Sequence, residues 1–402
     1  MSPAASDTPA LRFPGFTAPW MEAHGGDAFS SRRARGEAGL PLYSVTLENG
    51  MVRRDSLDRE IQSNATDEAN LKARGGDIVY NMMRMWQGAM GVAPEDCMVS
   101  PAYVVLAPKP QTSSRFFAQW FRRPRALHAL WAYSHGLTND RLRLYYKDFA
   151  QIPMGLPDRP EQEKIADFLD AIDARRAMFD AEADELAAYK QGLAQRLFSE
   201  ATRFHRADGT DYPDWGEVRL GDVARFRKGK GVARDDVVEG GATPCLRYGE
   251  LYTTYTENIT AIASATNADP AGLVMSQADD VVLPASGEMP LDMASAACVR
   301  SARVALGGDI NILRTPLHGL FLAYLLRTTK RRDIARLAQG NSVVHLYGHH
   351  LATLRFRAPA EHEEQEKIAG ALAAVDDRIA DVRRQAETLA LFKAGLLQKL
   401  FV

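Results

Sequence analysis

The chain has 402 residues and a formal net charge of −2, with 46% hydrophobic and 25% charged residues. These values are ordinary for a soluble globular protein and do not point to a nucleic-acid binder, and the length suits two or three domains. No apolar run reaches about 18 residues, which excludes a membrane span. The three cysteines lack metal-ligand or redox spacing, and positions 1–9 lack the features of a signal peptide. We therefore expect a reduced, cytoplasmic protein.

The segment 1–157 is predicted to mix strands and helices. Strand patterns occur at 42–47, 78–83 and 103–106, and a helical pattern occupies 113–131. Four aromatic residues recur within that helical pattern at close to helical spacing. They are Phe116, Phe117, Trp120 and Phe121. We expect them to form core rather than a platform on which bases stack.

A six-residue motif, EQEKIA, follows at 161–166 and recurs at 364–369, 203 positions later (364 − 161). The register then holds without a gap as far as Phe198 and Phe401. Such a period is far longer than that of a solenoid repeat. It predicts a duplicated unit that consists of a domain and a helix.

The segment 201–359 resembles the first segment in outline. A strand is predicted at 280–284, and helices are predicted at 317–326 and 331–337. Trp20 and Trp215 each stand six residues before Gly-Asp, which marks a similar domain start. Each segment also has a polar, Gly-containing loop about twenty residues before the repeated helix. These features predict an α+β fold with two globular domains.

Apolar residues recur every seven positions in both copies of the helix. The two rows are Ile165, Ile172, Phe179, Leu186 and Leu193, and Ile368, Val375, Val382, Leu389 and Leu396. A helix of about 38 residues is about 57 Å long and cannot bury such a row against one small domain. We predict that the two helices pack on each other, antiparallel, as a coiled-coil-like spacer with a pseudo-two-fold arrangement.

The repeat divides the chain into four parts. These are a domain at 1–157, a central helix at 158–200, a domain at 201–359 and a C-terminal helix at 360–402. Counting Lys and Arg against Asp and Glu, their net charges are +3, −5, +2 and −2. Because the helices are acidic, any contact with nucleic acid is expected in the domains.

Motifs for catalysis are missing from the sequence. There is no GxxxxGK[ST], HExxH or Gly-x-Ser-x-Gly pattern, and no Asn/Asp-Pro-Pro-aromatic run of an amino methyltransferase. The sequence therefore favours a protein that binds, with no catalytic or metal site. Two further hypotheses stay open: a helical scaffold that bridges two proteins without binding DNA, and an enzyme with an unrecognised site.

The duplicated helix resembles the specificity subunits of type I restriction-modification systems, and in organisation the resemblance covers the whole chain. The residues that carry it, each repeated in kind 203 positions later, are Glu161, Gln162, Lys164, Ile165, Ala166, Leu169, Asp173, Leu186, Lys190, Leu193, Leu197 and Phe198. A related type IIB-like system would show the same features.

The resemblance implies that each domain is a target recognition domain that reads half of a bipartite site in double-stranded DNA. It implies that the helices set the spacing of the half-sites and recruit two methyltransferase subunits and, through them, restriction subunits. S-adenosylmethionine, ATP and Mg²⁺ are then expected in those partner subunits and not in this chain.

Polar and basic residues of the two domains are candidate DNA contacts, because Arg and Lys bind phosphates and hydrogen-bonding side chains read base edges. In the first domain they are Arg53, Arg54, Lys72, Arg74, Arg84, Gln87, Asn139 and Arg141. In the second domain they are Arg227, Lys228, Lys230, Arg247, Tyr248, Asn341, Ser342 and His345. The cluster 227–230 is expected to be a loop that follows the DNA backbone. Weaker candidates for phosphate contact are Arg122, Arg123, Arg125 and the run 330–332.

Overall fold

The computed structural model describes residues 8–56, 66–138, 141–340 and 342–402. The chain forms two compact units. Unit 1 consists of Met1–Asp180 and Arg384–Val402, and unit 2 consists of Ala181–Arg383. Each unit therefore contains one mixed α/β region together with part of both repeated helices. The domain boundaries inferred from the repeat stay a prediction.

Unit 1 contains three small sheets. Its strands are β1 (Met21–His24), β2 (Phe29–Arg32), β3 (Leu42–Thr46), β4 (Gly50–Arg53), β5 (Leu71–Ala73), β6 (Ile78–Asn81), β7 (Met90–Val92), β8 (Cys97–Val99), β9 (Tyr103–Pro108) and β10 (Pro153–Leu156). Its helices are α1 (Gly25–Ala28), α2 (Ser114–Trp120), α3 (Pro124–Ala132), α4 (Tyr146–Phe149) and the first part of α5 (Arg159–Phe198). The sheet orders are β2-β9-β6-β7, β4-β3-β8-β5 and β1-β10.

The helix predicted at 113–131 is wrong as one element, because it is two helices with a break at 121–123. Pro124 begins α3, and a proline is tolerated at the start of a helix but lacks the N–H that a helix interior needs. The prediction that the four aromatic residues are core is confirmed. Phe116, Phe117, Trp120 and Phe121 are all buried in one cluster.

Unit 2 has a five-stranded sheet, β12-β20-β16-β18-β14, and three smaller ones. Its strands are β11 (Gly216–Arg219), β12 (Arg225–Lys228), β13 (Thr243–Leu246), β14 (Asn258–Ile259), β15 (Ser264–Thr266), β16 (Asp280–Pro284), β17 (Ser286–Gly287), β18 (Ala297–Val299), β19 (Ala305–Leu306), β20 (Ile310–Arg314), β21 (Val344–His345) and β22 (Arg355–Ala358). Its helices are α6 (Leu220–Val223), α7 (Glu250–Thr253), α8 (Gly319–Thr328), α9 (Arg331–Leu337), α10 (Gly348–Leu351) and the first part of α11 (His362–Lys399).

The repeated segments form the two long helices, with 40 residues in α5 and 38 in α11. In unit 1 the start of α5, with Ile165 and Leu169, shares a core with Leu396 near the end of α11. In unit 2 the start of α11, with Ile368, shares a core with Leu197 near the end of α5. Within each unit the two helices therefore run antiparallel.

The ten residues of the two predicted heptad rows are all buried or half-buried. The buried ones are Ile165, Ile172, Phe179, Ile368, Val382 and Leu396, and the half-buried ones are Leu186, Leu193, Val375 and Leu389. The rows therefore lie on the packed faces of the helices. A coiled-coil seam along their full length stays a prediction.

Candidate nucleic-acid interface

The first two residues of the repeated motif anchor α5 in unit 1. Glu161 is only 2% exposed, and its carboxylate accepts hydrogen bonds from Arg12 Nε at 2.8 Å and Trp20 Nε1 at 3.2 Å. The neighbouring Gln162 is also buried and accepts a 2.8 Å bond from Ser113 N. A buried carboxylate is costly unless it is paired and hydrogen-bonded. Arg12 meets that requirement, and its bond to Glu161 raises the pKa of the guanidinium.

The same anchor occurs in unit 2 with residues of the second copy. Glu364 is 1% exposed and accepts bonds from Arg203 Nε at 3.1 Å and Trp215 Nε1 at 3.2 Å. The amide oxygen of Gln365 accepts a bond from His318 N at 2.8 Å. The sequence marked the two tryptophans as domain starts but gave no sign of these buried bonds. The motif therefore fixes the start of each helix on its domain.

The two long helices are also joined by an equivalent Asp-Lys ion pair in each unit. In unit 1, Lys393 Nζ lies 2.6 Å from Asp173 Oδ1, and in unit 2, Lys190 Nζ lies 2.8 Å from Asp376 Oδ1. Both differences, 376 − 173 and 393 − 190, are 203, so the two pairs are the same contact with the helices exchanged. Burial lowers the pKa of Lys393, and the bond to Asp173 opposes that shift.

Three segments of unit 1 lie together on one surface, which we call face 1 and define as residues 82–88, 135–138 and 141–147. The first segment follows β6, and the others form a hairpin and the turn that leads into α4. Leu144 N donates a 2.9 Å hydrogen bond to Met82 O and so joins them. The structure thus brings together Arg84, Gln87 and Arg141, which the sequence offered as separate candidates.

Face 1 carries several exposed cations. Arg84, Arg141, Arg143 and Lys147 are exposed, and none forms an ion pair with a residue that the structure describes. The stretch Arg-Leu-Arg-Leu at 141–144 alternates, so that its leucines are buried and its arginines face outward. Sequence analysis missed Arg143 and Lys147, although this alternation was a readable signal. Cations without carboxylate partners are available to phosphate groups.

The other described candidates of unit 1 belong to a different part of the unit's secondary structure. Arg53, Arg54, Lys72 and Arg74 are on or beside the sheet β4-β3-β8-β5. Lys72 Nζ lies 2.6 Å from Glu37 Oε2, and Arg53 Nη2 lies 2.9 Å from Asp55 Oδ2. Because these two cations already have carboxylate partners, they are weaker candidates for phosphate contact than those of face 1.

Arg123 was a weaker candidate for phosphate contact, and the structure shows that this interpretation is wrong. The side chain is 5% exposed and lies over the rings of Trp120 and Phe401, at 4.8 and 4.9 Å from their centroids. Its Nη1 donates a 2.9 Å bond to Val402 O. Burial, with a smaller effect of the nearby Arg125, lowers the pKa of Arg123 to about 10. The residue therefore holds the last residues of the chain in the core of unit 1.

The corresponding surface of unit 2, face 2, is defined as residues 285–290, 339–340 and 342–349. Leu346 N donates a 2.9 Å bond to Ala285 O, which matches the bond that joins the segments of face 1. Here the two segments also pair as the strands β17 and β21. Part of the loop predicted before α11 is therefore a short strand.

Face 2 differs from face 1 in chemistry. Ser342 and His345, both predicted as DNA contacts, are exposed on it. The other exposed side chains include Met289, Val343 and Tyr347. Face 1 exposes as many large hydrophobic side chains as face 2, so the difference lies in charge: the residues of face 2 include no Lys or Arg.

The best basic cluster of the sequence lies next to face 2, but its predicted loop is wrong in part. Arg227 and Lys228 end β12, an edge strand of the five-stranded sheet, and Lys230 follows the strand. Edge strands often carry exposed cations, which discourage pairing with another chain. Lys228 pairs across the sheet with Asn311, whose Nδ2 donates to Leu346 O at 2.8 Å. The cluster therefore borders face 2 without being a flexible loop.

The remaining candidate DNA contacts differ in their exposure and in whether the structure describes them. Arg247 is half-buried, with Nη2 3.6 Å from Glu250 Oε1, and Tyr248 is exposed beside it in the segment after β13. Asn139 and Asn341 lie outside the described residues. Within the described ranges, no group of three or more His, Cys, Asp or Glu side chains is placed to hold a metal ion, and no helix is long and apolar enough to cross a membrane.

Comparison with known proteins resolves the family. The family model of the type I restriction modification DNA specificity domain matches residues 21–186 and 212–389. The chain belongs to this family. The predicted resemblance is confirmed, and this specificity subunit has two copies of the domain.

Two solved structures share the α+β fold of the specificity subunit over nearly its whole length. The S subunit of a type I restriction-modification system from M. genitalium matches with a TM-score of 0.60 and 15% identity, over 98% of this chain and 99% of that one. A chain from a structure on complex assembly and conformational transition of the type I R-M system matches with a TM-score of 0.57 and 16% identity, over 97% and 99%. No curated protein matches the chain significantly.

Proposed function

We propose that this specificity subunit directs a type I complex to a bipartite site in double-stranded DNA, with face 1 on one half-site and face 2 on the other. The observation that carries the proposal is the matched pair of backbone bonds, Leu144 to Met82 and Leu346 to Ala285. One framework thus presents two surfaces of different chemistry. Two different readers on one chain predict an asymmetric site.

Contacts within face 1 divide by chemistry. Arg84, Arg141 and Lys147 are exposed and have no carboxylate partner among the described residues, so they bind phosphates and position the unit on the duplex. Gln87 is exposed on the same surface, and an amide can form two hydrogen bonds with adenine in the major groove. On face 2, Ser342 and His345 supply the equivalent polar contacts.

The two helices set the distance between the half-sites in this proposal. The buried Glu-Gln pair fixes the start of each helix on its domain, and the Asp-Lys pairs fix the helices to each other within each unit. Such connections transmit the position of a domain because buried, paired side chains have little freedom. A fixed spacing between half-sites follows from rigid readers, as in dimeric DNA-binding proteins.

The helices would also receive the two methyltransferase subunits. Met178, Tyr189, Leu391 and Phe392 are large apolar residues of α5 and α11 with exposed side chains. Leu391 and Phe392 are adjacent, and neighbouring exposed apolar side chains on a helix would suit contact with a partner. The chain itself would be non-catalytic, with S-adenosylmethionine, ATP and Mg²⁺ bound by the other subunits.

Genome-wide methylation mapping tests this function. A host that carries the methyltransferase subunits is compared with and without the gene for this chain. We expect a bipartite, asymmetric methylated sequence that disappears when the chain is absent. An unchanged methylation pattern would refute a specificity role.

A further inference from the structure

The hairpin of face 1 presents an apolar residue at its tip. His135 and Arg143 close the hairpin with two backbone hydrogen bonds of 2.9 Å. Gly136 makes the bend tight, because a Cβ atom there would collide with the carbonyl oxygen of Arg141. Leu137 follows and is 100% exposed. Among the described residues, no other large hydrophobic side chain is as exposed.

A polyanion is the surface that best fits around this leucine. Arg84, Arg141, Arg143 and Lys147 are exposed on the same face and form no ion pair with a described residue. A protein partner that covered Leu137 would have to neutralise all four charges, whereas duplex DNA offers phosphates on both sides of a groove. The major groove admits a two-stranded β-ribbon. This hairpin likewise consists of two adjacent chain segments, which are joined by the single bridge His135–Arg143.

The base edges in that groove offer one apolar group, the 5-methyl of thymine. An aliphatic side chain contacts that methyl group without hydrogen-bonding to any base. We propose that Leu137 contacts the 5-methyl group of one thymine in the half-site read by unit 1 and so specifies an A·T pair there. The inference rests on the proposed function and adds a specificity-determining residue to it.

The hairpin of face 2 has the same construction. Gln339 and His345 close it with backbone hydrogen bonds of 2.9 and 2.7 Å. Gly340 stands at the bend, where a Cβ atom would collide with the Val343 carbonyl oxygen. The side chain of Val343 is 48% exposed. An exposed aliphatic residue on both hairpins, in two faces that otherwise differ, indicates a shared role in base contact.

Replacement of thymine by deoxyuridine tests the contact, because the two bases differ by the methyl group alone. Once the methylated sequence is known, each thymine of both half-sites is replaced in turn, and binding of the assembled methyltransferase complex is measured. For the wild-type chain we expect one position of the half-site read by unit 1 to bind about fourfold more weakly, the effect of burying one methyl-sized group. With Leu137→Ala that position should lose its sensitivity.

Two variants serve as controls. Leu47→Ala removes another exposed leucine of unit 1, in the turn between β3 and β4, and should leave the thymine sensitivity as in wild type. Val343→Ala should affect only the other half-site. Because Leu137 is fully exposed, its variant should show an unchanged melting temperature.

Two results would overturn the inference. One is a wild-type complex that is insensitive to every thymine replacement in the half-site read by unit 1, or the absence of an A·T pair from that half-site. The other is a Leu137→Ala chain that keeps the wild-type sensitivity but assembles poorly with methyltransferase subunits, which would assign the hairpin tip to a protein contact. In either case a bipartite methylated sequence that depends on this chain would still support the proposed function.

Discussion

Units 1 and 2 share the contacts that join the long helices to the domains and to each other, and they differ in the surfaces that those contacts support. The buried Glu161 and Glu364 have the same Arg and Trp partners, and the pair Asp173–Lys393 repeats as Asp376–Lys190. The repeated residues of the sequence are therefore those that hold helix and domain together. The parts that differ are the parts proposed to read DNA.

Faces 1 and 2 show how far this separation goes. In each face an equivalent backbone hydrogen bond joins two segments, and two further backbone hydrogen bonds close a hairpin. Face 1 has four exposed cations, including Arg143, whereas the residues of face 2 include no Lys or Arg. A framework fixed by buried bonds tolerates such changes because exposed side chains contribute little to stability.

The strongest test of the shared framework is removal of the anchor cation. Arg203→Ala leaves the Glu364 carboxylate buried without its charged partner, and Arg12→Ala does the same to Glu161. Each should lower the free energy of unfolding of its own unit by about 3 kcal/mol. Peptide-resolved hydrogen exchange with denaturation would measure the loss and assign it to a unit.

Arg219→Ala provides the matched control, because Arg219 and Asp222 form an exposed pair that should contribute less than about 1 kcal/mol. If Arg203→Ala and Arg12→Ala lowered the free energy of unfolding by very different amounts, the two anchors would not be equivalent.

A smaller effect on DNA binding should distinguish the two faces. Arg84→Gln combined with Arg141→Gln removes two cations of face 1, so affinity should fall on the order of tenfold, equally for all sequences. The slope of log K against log salt should decrease in magnitude by about 1.8, or 0.9 for each phosphate contact. Binding titrations at several salt concentrations would show this.

Lys72→Gln combined with Arg53→Gln is the control, because both cations already have carboxylate partners. If this control weakened binding as much as the face 1 variant, the assignment of phosphate contacts to face 1 would be wrong.

The smallest expected effect concerns the pH dependence of stability in unit 2. Burial, with the nearby His362, lowers the pKa of His318, whose Nδ1 accepts a 3.2 Å bond from Phe321 N at the start of α8. The unfolded chain binds this proton more readily, so the contribution of His318 is present above its unfolded pKa and is lost as pH falls below it.

Denaturation at pH 8 and at pH 5 measures the effect. His318→Asn keeps an acceptor at the helix start and should reduce the decline of unit 2 stability with acid. An identical decline in the variant would show that other groups cause it.

The features predicted correctly from the sequence are mainly those that follow from periodic patterns of residues. The 203-residue repeat and the heptad rows led to two long helices and to an α+β fold, both of which the structure and the family confirm. The predictions were wrong where tertiary contacts determine the environment of a residue. Arg123 is basic in sequence but buried against Phe401, which lies 278 positions away (401 − 123). Pro124 divided a continuous helical pattern.

The candidate interface was predictable only in fragments. Arg84 and Arg141 were identified, but nothing in the sequence shows that a bond from Leu144 to Met82 brings their segments together. Likewise, the carboxylate partners of Arg53 and Lys72 are visible only in the fold. Whether a surface cation has a carboxylate partner depends on contacts between distant segments. Those contacts cannot be inferred from the composition of the chain.

Methylation mapping with an altered face 1 tests the central claim most directly. A host would carry the complex with either the wild-type chain or the double variant Gln87→Ala and Leu137→Ala, which removes the two side chains of face 1 that are proposed to contact bases. One reader for each half-site predicts that sequence preference relaxes in one half only, while the other half and the spacing stay as in wild type. Equal relaxation in both halves, or a changed spacing, would contradict the account.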